Sequence, residues 1–88
     1  MRAVLSTRHQ RTLEAIFTHP ERSDIPWREI ESLFEALGAE VSEGSGSRVR
    51  VALGGMRAVY HRPHPERVMD KGAVRSVRRF LETAGVRP

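Results

Sequence analysis

Arg48-Val49-Arg50-Val51-Ala52-Leu53-Gly54-Gly55-Met56-Arg57-Ala58-Val59-Tyr60-His61 is the stretch on which the fold turns. Arg48 to Leu53 alternates strictly, with Val49, Val51 and Leu53 on one side, the period of a half-buried strand. Gly54-Gly55 is a two-residue hairpin signal, because both central residues of a type I′ turn need positive φ. Met56 to His61 is then the returning strand, with Leu53 facing Met56, Val51 facing Ala58 and Val49 facing Tyr60. That face is apolar and must pack on another layer. The opposite face sets Arg48 across from His61, Arg50 across from Val59 and Ala52 across from Arg57. Directly opposed residues have Cβ atoms ~5 Å apart, so Arg48 and His61 can act together. A slip of one residue would exchange the two faces.

Upstream, Thr7-Arg8-His9-Gln10 has capping-box form, and Leu13, Ile16 and Phe17 make a short apolar stripe. His19-Pro20 ends it, which predicts a helix near 7–18. Glu21 to Asp24 reads as a loop. Pro26 suits a helical first turn, Trp27, Ile30, Leu33, Phe34 and Leu37 follow at helical spacing, and Gly38 fits the stop. That predicts a helix over 26–37, with Glu29, Glu31 and Glu35 on its other side. Ala39-Glu40-Val41 is a short strand candidate and Glu43 to Ser47 a turn-rich loop. Downstream, His61-Arg62-Pro63-His64-Pro65 can continue neither sheet nor helix. Asp70 can cap a last helix over 70–84, with Ala73, Val74, Val77, Phe80, Leu81 and Ala84 inward and Gly85 as its stop. The order is α-α-β-β-β-α. The fold class expected is α+β, a three-stranded antiparallel sheet with helices on one face.

The chain has 88 residues, enough for one small domain. No cysteine is present, which removes disulfides and thiolate chemistry. No apolar run approaches the ~20 residues of a membrane span. Met1 to Gln10 lacks the apolar centre of a signal peptide, so the expected location is the cytoplasm. Lys plus Arg is 15 against 11 acids, a net charge of +4. Through Ser47 there are 5 basic and 8 acidic residues, and beyond it 10 basic and 3 acidic, so the halves carry −3 and +7. A basic half built from arginine suits phosphate, which the guanidinium fork binds bidentately.

Two further groups carry chemistry. Lys71, Arg75, Arg78 and Arg79 recur at i, i+4, i+7 and i+8, one basic stripe on the last helix with no acid between 71 and 81. The bland alternative is the solvated side of an amphipathic helix. His61-Arg62-Pro63-His64 has two histidines near each other, but the prolines exclude a helix and the flanks are cationic, so no metal or cofactor is expected. His9 and His19 read as incidental, and Trp27 as core.

From Pro26 to Pro88, about 60 residues, the chain resembles the HicA toxin family of bacterial toxin–antitoxin systems. The likeness runs through Ile30 to Gly38, through Ser45-Gly46-Ser47-Arg48-Val49-Arg50-Val51, and through Arg57-Ala58-Val59-Tyr60-His61-Arg62-Pro63-His64-Pro65. It closes on Val77-Arg78-Arg79-Phe80-Leu81-Glu82-Thr83-Ala84-Gly85. The resemblance implies an α-β-β-β-α, double-stranded-RNA-binding-like fold and a metal-independent ribonuclease that cuts mRNA and is silenced by a HicB-type antitoxin. On this reading residues 1–88 are a single domain, with 7–18 an extra helix and 26–88 the HicA-like core. The family's catalytic histidine follows the Gly-Ser entry, where this chain has Arg48, or Val49 if the loop is counted differently.

Three ways forward stay open from there. His61 could supply the base from the neighbouring strand. Arg48 could stabilise the phosphate while the 2′-OH attacks with little base assistance. Or the protein could bind RNA without cutting it. The residues expected to react are His61 and Arg48. Those expected to hold RNA are Arg50, Arg57, Arg62, His64, Lys71, Arg75, Arg78 and Arg79. A winged helix on DNA is a further alternative, against which stand Glu29, Glu31 and Glu35 on the helix that would read the groove.

Overall fold

The computed structural model describes residues 5–88. The part of the signal-peptide reading that falls on residues 1–4 lies outside the described residues. Two helices and a short strand come first: α1 (Thr7–Ile16), β1 (Ile25–Pro26) and α2 (Trp27–Ala36). The sheet strands follow, β2 (Glu40–Glu43), β3 (Arg48–Leu53) and β4 (Met56–His61), then β5 (Val68–Met69) and α3 (Lys71–Thr83). The α+β class and the three-stranded antiparallel sheet, ordered β2-β3-β4, are as the alternation implied.

The β3–β4 register agrees at all six positions, from Leu53 opposite Met56 to Arg48 opposite His61. Gly54 and Gly55 carry φ of +56° and +79°, as a type I′ turn requires. A side chain at Gly54 would also meet the backbone oxygen of Ala84 at 3.2 Å, so the hairpin tip rests on the end of α3. Val49, Val51 and Tyr60 are buried under α2 and α3, whereas Arg48, Arg50, Arg57, Val59 and His61 stand on the open face. Phe34 stacks on Tyr60 (ring centroids 5.9 Å apart) and meets Trp27 and Phe80 edge-on, an aromatic knot that joins α2, β4 and α3.

Helix ends follow the capping logic with one displacement. Asp70 accepts the Ala73 N–H at 2.8 Å, as expected for its cap. The α1 cap is Ser6, not Thr7: Ser6 is extended and its Oγ accepts the His9 N–H at 3.2 Å, while Gln10 bonds Glu14 instead. α1 ends at Ile16, two residues before the expected boundary at 18. α2 closes through Gly38 and Ala39, whose N–H groups donate to Glu35 and Phe34.

Two elements differ from expectation. Glu43 is not loop but the last residue of β2, paired with Val49. Outside 39–61, where no strand was expected, Ile25–Pro26 pairs antiparallel with Val68–Met69. A two-residue ladder has no periodicity to read. Its partners lie on either side of the whole sheet in sequence, so only the tertiary fold brings them together. The ladder and α1 tie residues 5–26 into the common core: Leu13, Ile16 and Ile25 are buried in the same cluster as Ile30, Val77 and Leu81.

Candidate nucleic-acid interface

The open sheet face is built in rows across β2, β3 and β4. Ser42, Arg50 and Val59 form one row, and Glu40, Ala52 and Arg57 another. Arg48 and His61 close the face at the end nearest the 44–47 loop. Period-two alternation puts them all on one side, and burial of Val49, Val51 and Tyr60 fixes which side. No ion pair holds Arg48, Arg50 or Arg57 among the described residues.

Arg48 is placed by backbone. Its carbonyl accepts the Gly44 N–H at 2.8 Å and its N–H donates to Ser45 O at 3.3 Å, closing the loop that leads into β3. A side chain at Gly44 would lie 3.0 Å from the Arg48 Cβ, so the loop crosses the start of β3 where only glycine leaves room. On the neighbouring strand, the Arg62 N–H donates to Ser47 O at 2.9 Å, extending the ladder one step past the Arg48–His61 pair.

His61 and His64 together line an open depression of about 640 Å³ at the β4 edge, walled by Pro63, Pro65 and Ser76. The depression joins His64 to His61, and Arg48 is not among its lining residues. Tyr60 forms part of the inner wall. Its hydroxyl is buried with no hydrogen-bond partner among the described residues. Burial pushes this phenol up to about 12, with Ser76 opposing the shift without completing a bond of good geometry.

The remaining expected RNA ligands divide. Lys71 and Arg79 are exposed on α3. Arg75 and Arg78 are instead held by Glu21 from the loop after α1, at 2.9 Å and 3.1 Å. Arg78 is buried, which corrects its place on a solvent-facing stripe. It lies one turn from both Val74 and Leu81, at the border of the apolar face, where the α1–α2 loop covers it. Arg62 forks onto Glu43 at 2.8 Å and 2.6 Å and reaches Glu31 at 3.3 Å. The residues missed by sequence reading are therefore acids: Glu21, Glu31 and Glu43. Only Glu43 had a signal, its place two residues beyond the expected strand. His9 hydrogen-bonds Ser6 and Ser32, and so fastens α1 to α2.

The Glu21 clamp makes a pH prediction. The hydrogen bonds from Arg75 and then Arg78 hold the Glu21 carboxyl down from its ordinary 4.5 to about 2. A depressed folded value stabilises the fold above the unfolded value, and that contribution is lost as pH falls from about 4.5 toward 2. Glu21→Gln is expected to lower Tm at pH 7 and to match the parent by pH 2. A Tm gap of equal size at both pH values would refute the clamp.

No curated protein and no solved structure matches the chain. The family model described as HicA toxin of bacterial toxin-antitoxin matches residues 27–86, that is, α2 through the end of α3 and three residues beyond. No helix among the described residues is long and apolar enough to cross a membrane. Nor do they contain a group of three or more side chains suited to hold a metal ion.

Proposed function

The chain belongs to the HicA family of bacterial toxin–antitoxin toxins, and from that premise we propose that it binds RNA on its open sheet face and cleaves it there. A toxin of this kind implies an antitoxin partner. On this reading that partner is HicB-type, the protein works in the cytoplasm, and residues 5–88 act as one domain, with α1 part of the unit. The observation that carries the reading is the open face itself, with three arginines free of carboxylates and a histidine directly across from one of them.

The chemistry needs no metal. The RNA 2′-oxygen attacks the adjacent phosphorus, the new O2′–P bond forms and the P–O5′ bond breaks, leaving a 2′,3′-cyclic phosphate and a 5′-hydroxyl. Imidazole of His61 takes the 2′-OH proton as general base, and the departing 5′-oxygen takes a proton from water, to which the imidazolium later loses its own. The Arg48 guanidinium stabilises the charge on the five-coordinate phosphorus. Arg50 and Arg57 hold flanking phosphates, with Lys71 and Arg79 as outlying cations. His64, in the same depression, is the rival base.

The direct test is incubation of purified protein with RNA in EDTA, with product ends identified. Binding is tested separately. Removing Arg50 and Arg57 together is expected to weaken binding to unrelated RNA sequences alike. It should reduce the slope of log affinity against log salt by roughly 1.4, about two phosphate contacts on a single strand. An unchanged slope would move the RNA off this face. A second reading, binding without cleavage, is favoured by the family resemblance: where it expects a histidine this chain has Arg48, or Val49 if the loop is counted differently, and neither is a histidine. A winged helix finds no support, because the β3–β4 hairpin forms two-thirds of the sheet and packs on the core instead of projecting from it.

A further inference from the structure

We infer that Arg62 is a positioning residue, a strut beneath the sheet that sets His61 across from Arg48, and not a ligand of RNA. This rests on the reactive pair proposed above. His61 is the last residue of β4, and a strand end with no further tie frays. Arg62 supplies the tie twice. Its backbone N–H bonds Ser47 O, the residue before Arg48, so the two peptide units flanking the pair are joined. Its side chain leaves on the face opposite His61 and runs back under the sheet to Glu43 on the far strand β2, a bidentate fork at 2.8 Å and 2.6 Å.

The same guanidinium reaches Glu31 of α2 at 3.3 Å, and Glu31 also accepts the Trp27 Nε1–H at 2.7 Å. Trp27 belongs to the aromatic knot with Phe34 and Tyr60. The chain of contacts thus runs from the reactive end of β4, across the sheet and into the aromatic part of the core. The charges agree with this use. Two carboxylates offset the one guanidinium, first Glu43 and then Glu31, and hold it above its ordinary range. Arg62 in turn holds Glu43 below its own. A phosphate would have to displace a fork that is already made, whereas Arg48, Arg50 and Arg57 have none to displace.

The test is Arg62→Lys, which keeps the charge but cannot form the fork, with Glu43→Gln as a second variant on the other side of the contact. Both are expected to leave the RNA-binding salt slope unchanged and to lower the single-turnover cleavage rate about 10- to 100-fold, the usual consequence of a slightly misplaced reacting group. The reversed pair Glu43→Arg with Arg62→Glu should recover part of that rate. In nuclear magnetic resonance spectra the His61 ring protons should shift in both single variants, while those of His19, distant in the chain, should not. In Arg62→Gln, which removes the charge as well, the slope should also hold; a slope reduced there by about 0.7, one phosphate, would make Arg62 an RNA ligand and overturn the inference. So would His61 ring signals at parental positions in both variants. If the parent itself cleaves nothing, the ribonuclease reading fails, and the ring signals and the slope still decide the role of Arg62.

Discussion

His61→Ala is expected to slow RNA cleavage by about 10²–10⁴-fold, the usual contribution of a general base, while leaving RNA affinity nearly intact. The split follows from where the charges sit. His61 adds little to phosphate binding beside Arg48, Arg50 and Arg57, none of which it contacts through a hydrogen bond or ion pair. Arg48→Ala should cost both rate and affinity, because it meets the phosphate before and during reaction. Comparison with His64→Ala decides between the two histidines of the depression. Parental cleavage by His61→Ala together with loss in His64→Ala would transfer the base to the loop. A parent that binds but never cleaves would leave the open face as a binding surface and nothing more.

Ile16→Ala is expected to destabilise the fold by about 2–5 kcal/mol. Ile16 is fully buried, and its cavity would open between α1 and the elements that α1 covers. A domain of this size has a total stability on the order of 4–13 kcal/mol, so a change at this one position takes a large share of it. Ile16 lies outside the residues shared with the family model, so nothing in the family likeness demands it. Glu14→Ala, exposed on the same helix, is the control and should stay within about 0.5 kcal/mol. Urea unfolding of the three proteins measures both. A loss below about 1 kcal/mol for Ile16→Ala would make α1 an appendage laid over a self-sufficient core.

The hairpin was legible because two physical signals agreed there. Alternation from Arg48 to Leu53 set the faces, and Gly54-Gly55 set the turn, and together they left one register. Asp70 was legible for the same kind of reason, a local side-chain-to-backbone bond three residues long. What stayed hidden was contact between residues far apart in the chain. Spacing along α3 puts Arg75, Arg78 and Arg79 near one another, but which of them meets water depends on a loop more than fifty residues upstream. Glu21 sits in a loop with no periodicity and gives no sign of its two partners. Arg62 reads as one more cation in an arginine-rich run until β2 extends to Glu43 and brings an acid beneath it. Net charge by halves was right in sum, yet it could not separate cations already neutralised within the fold from those left for a partner.

That separation has a kinetic side. With Arg62, Arg75 and Arg78 matched internally, Arg48, Arg50 and Arg57 remain, among the described residues, as unpaired cations on the open sheet face, and Lys71 and Arg79 as exposed cations on α3. A polyanion drifting near such a group of cations is drawn toward it before any contact forms. Such steering raises encounter rates, and it fades as salt shortens its reach to about 8 Å under physiological conditions. The internal pairs therefore sharpen the direction of approach, because every cation they silence is one fewer place for a strand to land wrongly.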